Sequence, residues 1–155
     1  MTTKEPGAAA PVDLSAFIPA DTAVLDILAP GSAAPIGWRI TFAGPGHPKT
    51  IAFNEAKNRE TLHRNRQIEM AQINGRKYKP EERSVDEARR ENVQWVAARI
   101  VDWTPVTLKP GAAPIAYSEK AAVDIFVDPD LGWVYAQCLD FLVSEQSFTR
   151  TSAKA

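Results

Sequence analysis

The sequence contains few of the residues that usually build reactive sites. Its 155 residues include one cysteine, Cys138, and two histidines, His47 and His63. A single cysteine cannot form an internal disulfide, and this usage suits a reducing compartment. His63 has Arg59 four residues before it and Gln67 four residues after it, so it has no partner ligand at helical spacing. The sequence therefore predicts neither a disulfide framework nor a histidine metal site.

An excess of positive charge and a long apolar run are also lacking. The chain has 18 basic and 19 acidic residues, which gives a net charge of −1. Proteins that neutralise many phosphates usually carry a basic excess, so we do not expect nucleic acid as a partner. No apolar run approaches the roughly 20 residues needed to cross a bilayer, and residues 1–6 lack the apolar core of a signal peptide. We therefore expect no membrane partner.

Catalytic and cofactor motifs cannot be recognised in the sequence. The Gly-Pro-Gly turn at residues 44–46 precedes a helical segment but lacks the Gly-Lys-Ser/Thr ending of a phosphate loop. Asp124, Asp128 and Asp130 lack the spacing and the central glycine of a calcium loop, and helix capping explains Asp128 and Asp130. Cys138 lies on an apolar stripe and is predicted to be a small core residue. We predict no catalytic, cofactor-binding or metal-binding residues, and a protein that is not an enzyme.

What the sequence does contain is typical of a globular fold, with 45% hydrophobic and 24% charged residues. We predict a flexible N-terminal arm over residues 1–20, a single α+β domain over 21–149 and a loose C-terminal tail over 150–155. The arm is rich in Ala and Pro, with Leu14, Phe17 and Ile18 as its large apolar residues. These three either dock on the domain or form a short motif for a partner.

Two strands are predicted first. Thr22–Leu28 is a short strand candidate, and in the run Gly37–Ala43 the residues Trp38, Ile40 and Phe42 alternate with polar ones. The two would pair as an antiparallel hairpin over a Pro/Gly loop. Because two strands alone are marginally stable, they must pack on helices or gain strands from a neighbouring subunit.

Helical spacing replaces strand spacing after Pro48. The predicted fold class is therefore α+β: a short N-terminal β-hairpin followed by about four helices, of which the last three form the core. Start and stop signals place these helices at Pro48–Asn74, from a Ser84/Glu87 capping box to near Trp103, from Ser118 to Asp128, and from Asp130 towards Phe148. Val85, Val93, Val96, Ala97 and Ile100 form the predicted apolar stripe of the second helix, with Arg99 on its wet side.

The first and longest helix is unusually polar. Its apolar residues form a thin, broken stripe, so the helix is either largely solvated or waits for another chain. A core helix would show a wider apolar face. We therefore place a partner-binding surface on Ile51, Leu62, Met70 and Ile73.

Taken together, four segments carry a family resemblance over roughly residues 20–150. They are the turn at residues 44–48 before a charged helix, the segments 92–103 and 117–122, and the Asp128-Pro129 turn before a closing helix with Phe148. In this order they resemble the tail assembly chaperones of long-tailed bacteriophages. The family has no catalytic residues to transfer.

The resemblance implies a non-catalytic protein of the host cytoplasm that is absent from the mature virion. Such a chaperone binds the long helical tape measure protein, keeps its hydrophobic stretches from aggregating and helps recruit the tail tube protein. The alternatives are a structural virion component, such as a head–tail connector or tail completion protein, and a small enzyme with scattered site residues. Mass spectrometry of purified virions separates the first two. From the open edges of a two-stranded hairpin we also expect a monomer or a weak homo-oligomer for the protein alone, and ordered multimers only on the partner.

Overall fold

Over the residues that the structure describes, the fold combines a small antiparallel sheet with four α-helices. The computed structural model of the protein describes residues 10–78, 84–144, 147 and 148. The predicted α+β class is confirmed, and the predicted C-terminal tail, 150–155, lies outside the described residues. In chain order the elements are a 3-10 turn at Leu14–Phe17, β1 Thr22–Leu28, β2 Pro35–Ala43, α1 Pro48–Ile73, α2 Val85–Ala97, β3 Ile100–Trp103, α3 Glu119–Val127, a second 3-10 turn at Pro129–Leu131, and α4 Gly132–Val143.

The sheet has the strand order β1-β2-β3, with both pairs antiparallel. The predicted alternation in β2 is confirmed, because Trp38, Ile40 and Phe42 are buried. On the opposite face, Arg39 is exposed and its Nε lies 3.0 Å from an Asp26 carboxylate oxygen on β1. One face of the sheet therefore contacts the core and the other contacts water, as is common for antiparallel sheets.

The third strand, β3, corrects the predicted course of the second helix. That helix was expected to run to near Trp103, but α2 ends at Ala97 and the chain then pairs with β2. Trp103 lies opposite Ile40 in this pairing, and both are buried. The free edge of β2 and the burial of Trp103 outweigh the local tendency to continue the helix, since tertiary contacts override weak propensities. The hairpin thus gains its third strand from its own chain.

The outer edge of β1 is held by α4 and the turn after it. Leu28 at one end donates its backbone N–H to Gln137 Oε1 and accepts from Gln137 Nε2, both at 2.9 Å. Ala20, just before the strand, donates its N–H to the Phe148 carbonyl at 2.7 Å. Since β3 pairs with β2, the expectation of two open hairpin edges is wrong for the β2 edge, while the β1 edge is contacted at its two ends.

The hydrophobic core lies between the sheet and helices α2, α3 and α4. These are the last three helices, as predicted. Their buried core residues follow the i, i+3, i+4, i+8 spacing of one helix face, and they are Val93, Val96 and Ala97 on α2, Ala122, Ile125 and Phe126 on α3, and Val134, Cys138 and Leu142 on α4.

Three predicted positions around this core are corrected. Val85 was placed on the apolar stripe of α2 but is 81% exposed, because it occupies the first position of the helix. Arg99 was placed on the wet side but is half-buried, with its guanidinium 4.2 Å from the centre of the Trp95 ring. Phe148 is buried as a core residue should be, yet it lies in a turn beyond the end of α4.

The N-terminal arm does not pack on its own domain. Its described residues up to Pro19 are all exposed. Asp13 orders the 3-10 turn, because its Oδ1 accepts from the Ser15 N–H at 2.9 Å. Phe17 in that turn is 75% exposed, and Leu14 and Ile18 are also mostly exposed. Of the two alternatives for this segment, docking on the domain is therefore wrong.

Candidate partner-binding surface

Helix α1 begins and ends at local signals. His47 is its N-cap, and His47 Nδ1 accepts from the Lys49 N–H at 3.1 Å, which confirms the predicted turn and capping role. Pro48 takes the first helical position, where a missing N–H leaves no bond unmade. After Asn74, Gly75 has a φ of +67°, so the chain leaves the helix through the left-handed region. The helix has 26 residues and is about 39 Å long.

The first turn of α1 is anchored by Lys49. Its Nζ donates to the carbonyl of Ile100 and to the hydroxyl of Tyr117, the latter at 2.6 Å. Tyr117 in turn donates to the carbonyl of Ala97 at 3.2 Å. Because Ala97 ends α2, these bonds satisfy a carbonyl at a helix C-terminus and place a cation near it, which the helix dipole favours. The network connects the start of α1 to α2 and β3.

Lys49 and Tyr117 are also neighbouring titratable groups with shifted pKa values, a combination that enzyme sites contain. Burial lowers the pKa of Lys49, against the opposing charge of Glu119. Burial, followed by the charge of Glu119, raises the pKa of Tyr117 to about 12. A tyrosine of this kind keeps its proton at neutral pH, and both groups are hydrogen-bonded to backbone carbonyls. We therefore interpret the pair as an anchor for α1.

One side of α1 faces α2 near its N-terminal half. Lys57 Nζ lies 3.8 Å from a Glu91 carboxylate oxygen on α2 and 3.3 Å from Glu60. Phe53, Lys57 and Glu91 share the lining of a shallow cavity of about 450 Å³ with Trp95 and Tyr135. Of the 26 residues of α1, all of which the structure describes, Thr50 alone is fully buried. The helix therefore contacts its domain near its start and is solvated along most of its length.

The four predicted partner-binding residues are all exposed. The exposed fraction is 45% for Ile51, 59% for Leu62, 57% for Met70 and 78% for Ile73. Large aliphatic side chains on a helix are usually buried against another element. Their exposure leaves an apolar surface on α1 that the rest of the described chain does not cover.

Three of these residues form a line along the helix. Ile51, Leu62 and Ile73 are eleven residues apart in the sequence. Eleven residues make close to three turns, so successive members are offset by only about 20° and lie about 16 Å apart. Phe53, which faces α2, lies about 160° around the helix from Ile51. These three residues therefore point away from the domain and are called the outward line of α1, or the line. Met70 lies about 60° to one side of Ile73.

A second apolar surface was not predicted from the sequence. It is a groove of about 560 Å³ between the start of α2 and the hinge that joins α3 to α4. Val85, Ala88, Phe126 and Val127 are among its apolar lining residues, and Arg89 crosses it to donate from Nη1 to the Val127 carbonyl at 3.3 Å. Val85, an apolar residue near the start of the second helix, was the one sequence signal for this groove. It was predicted to lie on the apolar stripe of that helix, so the groove was missed. The groove has no residue in common with the surface on α1.

The remaining candidate positions are structural. Burial raises the pKa of the Cys138 thiol to about 12, and its side chain is fully buried, so it is the core residue predicted. Asp128 Oδ1 accepts from the Asp130 N–H at 2.9 Å, which confirms the capping role of Asp128. The capping role predicted for Asp130 is wrong, because Leu131 is the N-cap of α4 and no side chain of the described residues caps that helix. Among residues 10–78, 84–144 and 147–148, no group of three or more His, Cys, Asp or Glu side chains is placed to hold a metal ion. Over the same ranges, each helix is too short or too polar to cross a membrane.

Comparison of the chain with protein-family models, curated proteins and solved structures finds no match. The resemblance to phage tail assembly chaperones thus remains a prediction from the sequence.

Proposed function

We propose that this protein is a non-catalytic tail assembly chaperone of a long-tailed phage, which binds the tape measure protein through the outward line of α1. The observation that carries the proposal is the placement of Ile51, Leu62 and Ile73 on the side of α1 opposite its contact with α2. The recruitment of the tail tube protein and an action in the host cytoplasm are part of the same proposal, and the resemblance alone supports them.

The solvation of α1 favours a binding role. Most helices in proteins are stabilised by tertiary packing of an apolar face, and α1 packs little of its length on its own domain. A chain of this size could bury a helix of this length if its side chains formed a wide apolar stripe. Instead its second half combines charged residues with isolated aliphatic ones. Such a helix gains packing when a partner covers it.

The spacing of the aliphatic residues indicates the shape of that partner. Contacts about 16 Å apart along a straight line suit an elongated partner that runs parallel to α1, such as another long helix. Charge adds to this, because α1 has five basic and three acidic residues while the whole chain has a net charge of −1. A helical segment with spaced aliphatic residues and an acidic surface is the best fit, and the tape measure protein is proposed to supply it.

Placing a charge on the line should weaken binding without unfolding the domain. In Leu62→Glu and Ile73→Glu, the new carboxylate faces water in the free protein but would be buried, unpaired, in the complex. We expect association with the tape measure protein of the same phage to weaken at least about tenfold for each variant, equivalent to about 1.4 kcal/mol. Titration calorimetry of the purified pair measures this, and thermal unfolding of each free variant checks the fold.

Gln67→Glu is the matched control. It adds the same charge to the same half of α1, at an exposed position about 140° around the helix from Leu62. Its affinity should stay within about twofold of the unmodified protein. Equal losses in all three variants would mean that net charge, and not the line, governs binding. Unfolding of Leu62→Glu or Ile73→Glu would place the line in the core and the partner surface elsewhere.

A further inference from the structure

The N-terminal arm, here residues 10–19, presents apolar side chains that nothing in the described chain covers. Val12, Leu14, Phe17 and Ile18 are each more than half exposed. The arm is nevertheless ordered at its centre, since Asp13 caps the Leu14–Phe17 turn. Contiguous exposed apolar residues usually mark an interaction site. An ordered turn that displays them has already lost part of the entropy that binding would cost.

The groove between α2 and the α3–α4 hinge has the properties of a receptor for such a segment. Its volume of about 560 Å³ lies within the range typical of ligand pockets. Val85, Val93, Phe126 and Val127 give it apolar walls, and Arg89 and Asp128 place one cation and one carboxylate at the lining. The arm carries Asp13 directly before Leu14 and has no basic residue between positions 10 and 19. The two surfaces therefore match in their apolar residues, whereas Asp13 would meet a lining that holds one charge of each sign.

We propose that the arm of one copy of this protein docks in the groove of a second copy, with Leu14 and Phe17 as the inserted side chains. The arm leaves its own domain at Ala20, whose N–H is fixed to the Phe148 carbonyl at 2.7 Å. Phe17 and Leu14 lie three and six residues before Ala20, so they reach at most about 10 and 20 Å beyond that point, and the receiving copy must lie against this end of the domain. In its own chain the arm lies exposed and away from the core.

This contact is head-to-tail, because the arm and the groove are different surfaces of the same molecule. Each copy that receives an arm still offers its own arm, so the contact generates an open series or a ring and not a closed two-fold dimer. A single short segment buries less area than a stable dimer interface, so the association is weak and depends on concentration. This inference stands on the arm and the groove and does not rest on the function proposed for α1.

Disulfide trapping between two different variants tests the contact. Ala16→Cys places a thiol in the arm while keeping Leu14 and Phe17, and Ala88→Cys places one in the groove. Buried Cys138 does not compete, because burial holds its thiol protonated. When the two variants are mixed under mild oxidation, we expect a cross-linked heterodimer, since the two Cα atoms must approach to within about 7 Å. The control for cross-linking by random collision mixes Ala16→Cys with Ser32→Cys, which places the thiol in the exposed turn after β1. This mixture should cross-link at least about tenfold less than the mixture of Ala16→Cys with Ala88→Cys.

Three results would overturn the proposal. The first is equal cross-linking with Ala88→Cys and with Ser32→Cys. The second is a disulfide closed within a single chain by an Ala16→Cys/Ala88→Cys double variant at high dilution, which would place the arm in its own groove. The third is sedimentation that does not change with Phe17→Ser across a wide concentration range, whereas we expect this variant to remove the self-association. Phe17 is exposed, so the variant should fold, and thermal unfolding verifies that it does.

Discussion

Replacing Trp103 by alanine is expected to lower the free energy of unfolding by about 3–5 kcal/mol. The ring is 4% exposed and lies between two other aromatic rings, with centroid distances of 5.5 Å to Trp38 and 5.4 Å to Tyr117. Its Nε1 donates to the Ile115 carbonyl at 3.1 Å. The substitution would leave a cavity between β2, β3 and the following segment, and the Ile115 carbonyl would keep only the Val106 N–H as its donor, at 3.2 Å. A loss of this size is a large part of the stability of an ordinary domain.

Urea denaturation measures the change, with Trp133→Ala as the matched control. Trp133 on α4 is only half-buried, and its Nε1 bond to the Asp130 carbonyl is exposed. The control should lose about 1–2 kcal/mol at most, as is usual away from the core. Similar losses in the two variants would show that Trp103 is not the centre of the aromatic cluster described above.

Gly44→Ala is expected to destabilise the fold by about 1–3 kcal/mol or more, through steric overlap. A Cβ built on Gly44 would lie 2.3 Å from the backbone oxygen of Ala20 and 3.3 Å from Cδ1 of Phe148. Because the closest atom belongs to the backbone, a change of rotamer cannot relieve the overlap. The chain would have to separate from Asp21, whose carbonyl accepts the Gly44 N–H at 2.7 Å, and from the Phe148 contact.

Gly46→Ala, two residues further along the same turn, provides the comparison. In the described part of the chain no heavy atom lies within 4 Å of a Cβ built there, and Gly46 does not have a positive φ. Its substitution should be neutral or should stabilise the protein by about 0.4–1 kcal/mol, because the unfolded chain loses freedom. Chemical denaturation of both variants checks the pair. A Gly44→Ala variant as stable as Gly46→Ala would contradict the close approach of residues 20, 44 and 148.

Features governed by neighbouring residues could be predicted from the sequence. The alternation of Trp38, Ile40 and Phe42 gave β2, and the Ser118 side chain accepts from the Ala121 N–H at 3.0 Å, as a helix cap should. The exposure of α1 followed from its thin apolar stripe. Each of these signals acts over a few residues, so distant packing did not alter it.

Features that depend on distant contacts could not be predicted. Residues 100–103 become a strand because β2, about sixty residues earlier, offers an edge. Phe148 was predicted to lie on the last helix, but α4 ends at Val143. The Phe148 ring instead packs on Phe141 from beyond the end of the helix, at a centroid distance of 5.7 Å. The groove exists only where α2 meets the α3–α4 hinge, and its apolar lining is spread over more than forty residues of sequence. Local periodicity contains no information on such pairings.

Hydrogen exchange of α1, in the free protein and in the complex with the tape measure protein, tests the proposed binding surface most directly. In the free protein, the amides from Leu62 to Ile73 should exchange faster than those of α2, because this half of α1 is solvated. In the complex we expect their exchange to slow at least about tenfold, while exchange in the sheet stays unchanged. Slowed exchange confined to other surfaces, with no change between Leu62 and Ile73, would contradict the assignment of binding to α1.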